Sequence, residues 1–188
     1  MAKNKIIRDT TILVIKLPRI NEIGNKKNKK LKALKEVALY SKIIEERVII
    51  ASDDKNDIVT LKGVDESFQS VTSIDSVIVQ GGWFAQEANQ VVVGWGVSNT
   101  LSLGVLDYSK VLTIYVPKPG KGQITSTNNA FNSIRAINVG VFDINEKIND
   151  TYVYGSLDLA QHLLNYDKNQ ITGDSIYLKS DIIIINNI

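Results

Sequence analysis

Gly120-Lys121-Gly122, followed by Thr125, Ser126 and Thr127, is the part of this sequence most like a phosphate cradle. A Walker A loop needs G-x-x-x-x-G-K-[ST] opening straight into a helix whose N-terminus faces the phosphate. Here the lysine lies between the glycines, Gln123 follows, and the next regular element reads as a strand. Spacing and context both argue against nucleotide chemistry. The stretch reads as a long exposed connection between strands, of a length that often carries function.

His162 is the only histidine, four residues after Asp158 on a predicted helix. At that spacing it can pair with the carboxylate at the surface, whereas acid–base catalysis needs a nucleophile and an orienting group that no spacing supplies. A single histidine in a chain without cysteine also argues against a transition-metal site, and excludes disulfides and thiol catalysis. Asp53-Asp54 and Asp57 suit turn chemistry and lack the order of a calcium loop. Glu45 and Glu46 are neighbours on a predicted strand, so they point to opposite faces and form no acid–base pair. The run from Lys26 to Lys35 could touch acidic headgroups, but reads as the solvated face of a helix. Trp83-Phe84 and Trp95 sit beside glycines, where core packing is as good an account as a binding surface. No cofactor and no catalytic constellation is expected.

The elements that would position these residues follow from patterning. Strands are predicted at Thr10–Leu17, Leu39–Ala51, Asp57–Gly63, Gln90–Gly94, Lys110–Val116, Ile134–Asp143 and Thr151–Tyr154, with strand-like residues at Ile176–Leu178 and Ile182–Ile185. Helices are predicted over Ile23–Lys35, over Trp95–Leu103 with closure at Gly104, and after Ser156, with Leu157, Ala160 and Leu164 on one face. The order is close to a split βαβ sandwich of ferredoxin type, interrupted by a mostly β insertion at about 66–133. No internal repeat is visible. At 188 residues, 44% hydrophobic and 22% charged, the chain can bury a sizeable core. A net charge of +2, mostly from lysine with only four arginines, gives no field for nucleic acid. No stretch approaches the ~20 apolar residues of a membrane helix, and no signal peptide opens the chain.

Several segments, taken in order, resemble one family. Val59–Asp65 (VTLKGVD), Val37–Glu46 (VALYSKIIEE), Val91–Gly104, Lys110–Pro117, Arg135–Phe142 (RAINVGVF) and Thr151–Leu164 (TYVYGSLDLAQHLL) are similar to the MacB-like extracytoplasmic domain of FtsX-type ABC transporter permeases. The pattern looks closest to the lipoprotein-releasing (LolC/LolE-like) members, with macrolide-export and peptide-sensing relatives as the alternative. The resemblance implies an α+β fold: a Porter-like subdomain of split βαβ type from 1–65 and 134–188, with a Sabre-like β-rich subdomain at 66–133. It implies a non-catalytic periplasmic domain of an inner-membrane protein, lying between the first two transmembrane helices, with Met1 added to an excised piece. The partners implied are a cytoplasmic ATPase subunit and a periplasmic lipoprotein carrier or lipoprotein substrate. In those permeases the connection at 117–133 forms a hook that captures the carrier, which would make Lys118, Lys121, Phe131 and Arg135 partner-binding residues. This chain departs from the expected proline–arginine pattern there, carrying Phe131-Asn132-Ser133-Ile134-Arg135 instead.

Overall fold

The computed structural model describes residues 12–16, 37–118 and 130–178. The predicted helix at 23–35 with its lysine run, the Gly120-Lys121-Gly122 turn and Ile182–Ile185 lie outside the described residues. Nine strands are described: β1 (Ile12–Lys16), β2 (Val37–Ser52), β3 (Lys55–Val64), β4 (Ile78–Gly81), β5 (Gln90–Gly94), β6 (Leu112–Pro117), β7 (Phe131–Phe142), β8 (Tyr152–Ser156) and β9 (Gly173–Leu178). The helices are α1 (Phe68–Thr72), α2 (Trp95–Leu101), α3 (Glu146–Asn149) and α4 (Leu157–Leu164), with a single 3₁₀ turn at Ile74–Val77.

The fold is α+β, but its sheet is not the predicted ferredoxin type. Six strands close on themselves: β2 pairs β3, β3 pairs β8, β8 pairs β5, β5 pairs β7, β7 pairs β6, and β6 returns to β2. The barrel is two similar halves. Each half is an antiparallel hairpin, β2–β3 or β6–β7, with one parallel strand, β8 or β5, that runs directly into a helix. The halves meet through antiparallel β8–β5 and β2–β6 contacts. The second half, residues 90–142, is inserted in chain order between the hairpin and the parallel strand of the first. Strands β4, β5 and β6, all from the stretch 66–133, are therefore hydrogen-bonded into the same sheet as the rest.

The physical reason is strand length. β2 has 16 residues, about 50 Å of extended chain. One edge pairs with β3 from Ile43 to Ser52. The other edge pairs with β9 over Val37–Ile43, then with β6 over Ile49–Ala51. β9 in turn carries β1, so the split pattern survives only as β9 lying between β1 and β2, while β8 and β9 have both β2 and β3 between them.

Alternation sorts the side chains. Ile44, Val48, Ile50, Val59, Leu61, Val91, Val93, Leu112, Ile114, Ala136 and Val153 fill the inside of the barrel, closed over by Val97 and Leu101 of α2 and Leu159, Ala160 and Leu163 of α4. The buried stripe of α4 is thus Leu159–Ala160–Leu163; Leu157 and Leu164, expected on that face, are only partly buried at its rim. Gly63 lets α4 lie on β3, because any Cβ there would collide with the Cβ of Ala160. On the outside, Ile43, Val64, Val92, Val139, Phe142 and Tyr154 form a second cluster under Phe68 of α1, Ile74 and Phe84. Trp83 stacks on Phe84 with ring centroids 4.6 Å apart, so this pair packs; Trp95 is exposed.

Ser156 caps α4 as expected, its Oγ accepting from Leu159 N at 3.1 Å. α2 ends differently from the prediction. Ser102, not Gly104, takes the left-handed turn at φ 51, and Leu103 N bonds back to Ser98 O. Two cations make that affordable: Lys55 Nζ donates to Ser102 Oγ at 2.7 Å and Lys110 Nζ to Ser102 O at 3.0 Å, at the negative end of the helix.

Candidate partner-docking surface

β-Strand alternation and the registers above fix one outward face across β3, β2, β6 and β7. Ile58 stands opposite Ile49, Ile49 opposite Tyr115, and Tyr115 opposite Ser133. On one side of this row are Thr60 opposite Arg47, and Pro117 opposite Phe131; on the other are Asn56, Ala51, Thr113 and Arg135 in succession. Within these rows the face carries two arginines, and the next outward residue along β2, Glu45, is paired with Lys62. The face also exposes apolar area: Ile58 is 54% exposed and Phe131 38%, with Phe131 set edge-on against Tyr115 at 6.5 Å.

Of the four residues expected to bind a partner, the fold brings three onto one hairpin. Phe131 and Arg135 lie on the same face of β7, at positions of equal parity. Lys118 follows β6, exposed, with its N–H bonded to Ala130 O at 2.9 Å as the last described rung. Lys121 lies outside the described residues. Strand β7 begins at Phe131 rather than Ile134, so Phe131 is held in a ladder opposite Pro117. Arg47, Ile49, Ile58 and Tyr115 escaped the sequence reading. Their alternation was visible, but only the β2–β6 pairing, across more than sixty residues of chain, puts them beside the hairpin.

A second cluster lies on β3 and β8. Lys62 is 9% exposed and pairs with Glu45 at 3.1 Å, its ammonium 5.5 Å from the Phe68 ring centroid and 6.0 Å from that of Tyr152. The pairing explains why Glu45 and Glu46 do not act together: Glu45 faces outward to Lys62, while Glu46 lines a different cavity of about 310 Å³ with Leu164 and Tyr166. Beside Lys62 opens a cavity of about 430 Å³ walled by Tyr152, Tyr154, Ile148 and Thr151, with Asn145 and Lys147 at its rim. Burial, then the neighbouring Tyr152 and Glu45, pushes the Tyr154 hydroxyl well above the usual tyrosine range, so it stays a neutral donor.

Other residues singled out by type are placed plainly. His162 and Asp158 are both exposed on α4. Asp53 takes the hairpin turn between β2 and β3 at φ 53. Asp65, the last residue of the VTLKGVD segment, is a structural staple: its carboxylate accepts from Ser41 Oγ at 2.7 Å, Lys42 N at 2.9 Å and Ser67 N at 3.1 Å. Among the described residues no group of three or more His, Asp or Glu could hold a metal ion.

The backbone as a whole is similar to two solved structures. One is the extracellular domain of the noncanonic ABC-type transporter YknZ from Gram-positive bacteria, with a TM-score of 0.61 at 12% identity over 91% of this chain and 85% of that one. This chain shares the fold of that transporter domain. The other is the periplasmic region of MacB from Actinobacillus actinomycetemcomitans, with a TM-score of 0.55 at 12% identity over 90% of this chain and 69% of that one. No family model matches the sequence, and no curated protein matches it. No described helix is long and apolar enough to cross a membrane.

Proposed function

We propose that this chain is the extracytoplasmic domain of an ABC transporter permease of MacB/FtsX type, tethered to the inner membrane in the full-length protein and acting by contact rather than by bond-making. ATP would be hydrolysed by a separate cytoplasmic subunit. The observation that carries the reading is the likeness of fold to YknZ and MacB across nine-tenths of the chain, joined to an outward face with two arginines and exposed apolar residues. Within it, the β6–β7 hairpin is the arm that meets a periplasmic lipoprotein carrier or the lipoprotein itself. Lys118, Lys121 and Arg135 supply charge and Phe131 an apolar anchor, in the manner of interface hot spots. The division of the chain belongs to the same proposal: 66–133 supplies the β6 arm and the approach to the hairpin, and the flanking stretches 1–65 and 134–188 supply the Porter-like body.

The test is cross-linking and pull-down with a periplasmic lipoprotein carrier. Wild type should capture the carrier, and Phe131→Ala combined with Arg135→Ala should abolish capture without shifting the unfolding midpoint. Capture that survives the double substitution removes the hairpin from the proposal. A second reading, direct binding of a small ligand by an export or sensing permease, is favoured by the cavity beside Lys62.

A further inference from the structure

The cavity of about 430 Å³ between β3, β8 and α3 has the build of a ligand site. Two polar side chains form its wall from within the protein: Lys62, 9% exposed, and Tyr154, 6% exposed. The Tyr154 hydroxyl is held neutral and so is available as a donor at the cavity wall. A ligand acceptor in the cavity can take this donor in place of water. Glu45 occupies one of the three N–H groups of Lys62, so the ammonium retains donors of its own.

Charge and shape decide the ligand class. Lys62 is balanced by Glu45, and Lys147 at the rim leaves the site with one positive charge in excess. Tyrosine faces can also attract a cation, but Lys62 already sits 6.0 Å from the Tyr152 ring centroid and would repel one. Beside the charges, Tyr152 and Ile148 offer apolar wall. We propose that this cavity binds a small organic acid, its carboxylate accepting from Lys62 and the Tyr154 hydroxyl while a short apolar or aromatic body lies against Tyr152 and Ile148. The site is on β3 and β8, apart from the β6–β7 hairpin, and does not depend on carrier docking.

Phenylacetate and octanoate serve as probes, with phenethylamine as the cation of matching shape. Titrated into the 188-residue chain, either acid should move the backbone amide resonances of Ile148, Thr151 and Tyr152 in a saturable way, leaving those of Thr113 and Arg135 in place. Lys62→Met should weaken binding about tenfold, the worth of one charge-assisted hydrogen bond. Lys147→Glu, at an exposed position that leaves folding alone, should weaken it as well and covers the case in which Lys62→Met does not fold. The proposal is overturned by either of two outcomes: no movement of those amides with either acid, or an equal response to phenethylamine. Acid binding unchanged by Lys147→Glu would overturn it too.

Discussion

Asp65 ends β3 and holds the chain where it leaves the barrel, accepting from a side chain of β2, a backbone N–H of β2 and the N–H that leads into α1. Replacing it by alanine leaves those donors, the two on β2 part-buried, without their acceptor. Asp65→Ala should therefore cost about 2–3 kcal/mol, and Asp65→Asn less, measured by urea unfolding. Tyr154 gives a prediction with a definite sign. Its hydroxyl is held protonated in the fold beyond the pH at which an unfolded tyrosine ionises, about 10. Above that pH the folded chain binds more protons at this site than the unfolded chain, so this residue's contribution, complete below it, is lost as pH rises. Unfolding midpoints collected from neutral to strongly alkaline pH should fall less steeply for Tyr154→Phe than for wild type; parallel curves would refute this account.

α4 is the element whose local code is clearest. Ser156 is buried and caps it, and Asn165 ends it in the left-handed region at φ 53. Ser156→Ala should cost about 1 kcal/mol, or roughly 2–4 °C in Tm for a chain of this size. Elements of this kind were legible from sequence: the β2–β3 hairpin with its aspartate turn, the QVVVG strand running into α2, and the Ser156 cap all depend on residues close together in the chain. Less legible was anything that depends on pairing between distant stretches. The closure of β6 onto β2 has no local signal. The two barrel halves share a topology without sharing a sequence, since QVVVG–WGVSNTL and YVYGS–LDLAQHLL agree only in apolar pattern. The end of α2 was misread for a related reason: Ser102 tolerates its left-handed turn because Lys55 and Lys110 reach it from other elements. The proposed docking face was half legible. Phe131 and Arg135 could be named from one segment, whereas Arg47, Ile49 and Ile58 join them only through tertiary register.

At the scale of the molecule, closure protects strands unequally. Each barrel strand has neighbours on both edges, whereas among the described residues β1 pairs only with β9 and β4 only with β7. Amide hydrogen exchange should be slowest in β3, β5, β7 and β8 and faster by orders of magnitude in β1 and β4. Protection of β4 equal to that of β5 would contradict the topology. β2 takes part in both regimes, leaving the β1–β9 margin at one end and entering the ring at the other. Because an extended backbone held by ladder hydrogen bonds on one edge or the other is hard to stretch, β2 is a stiff spar about 50 Å long, anchored in the core by Ile44, Val48 and Ile50. Torque applied at the β9 margin would reach β6, and hence the root of the proposed docking hairpin, without any residue between them having to change its conformation.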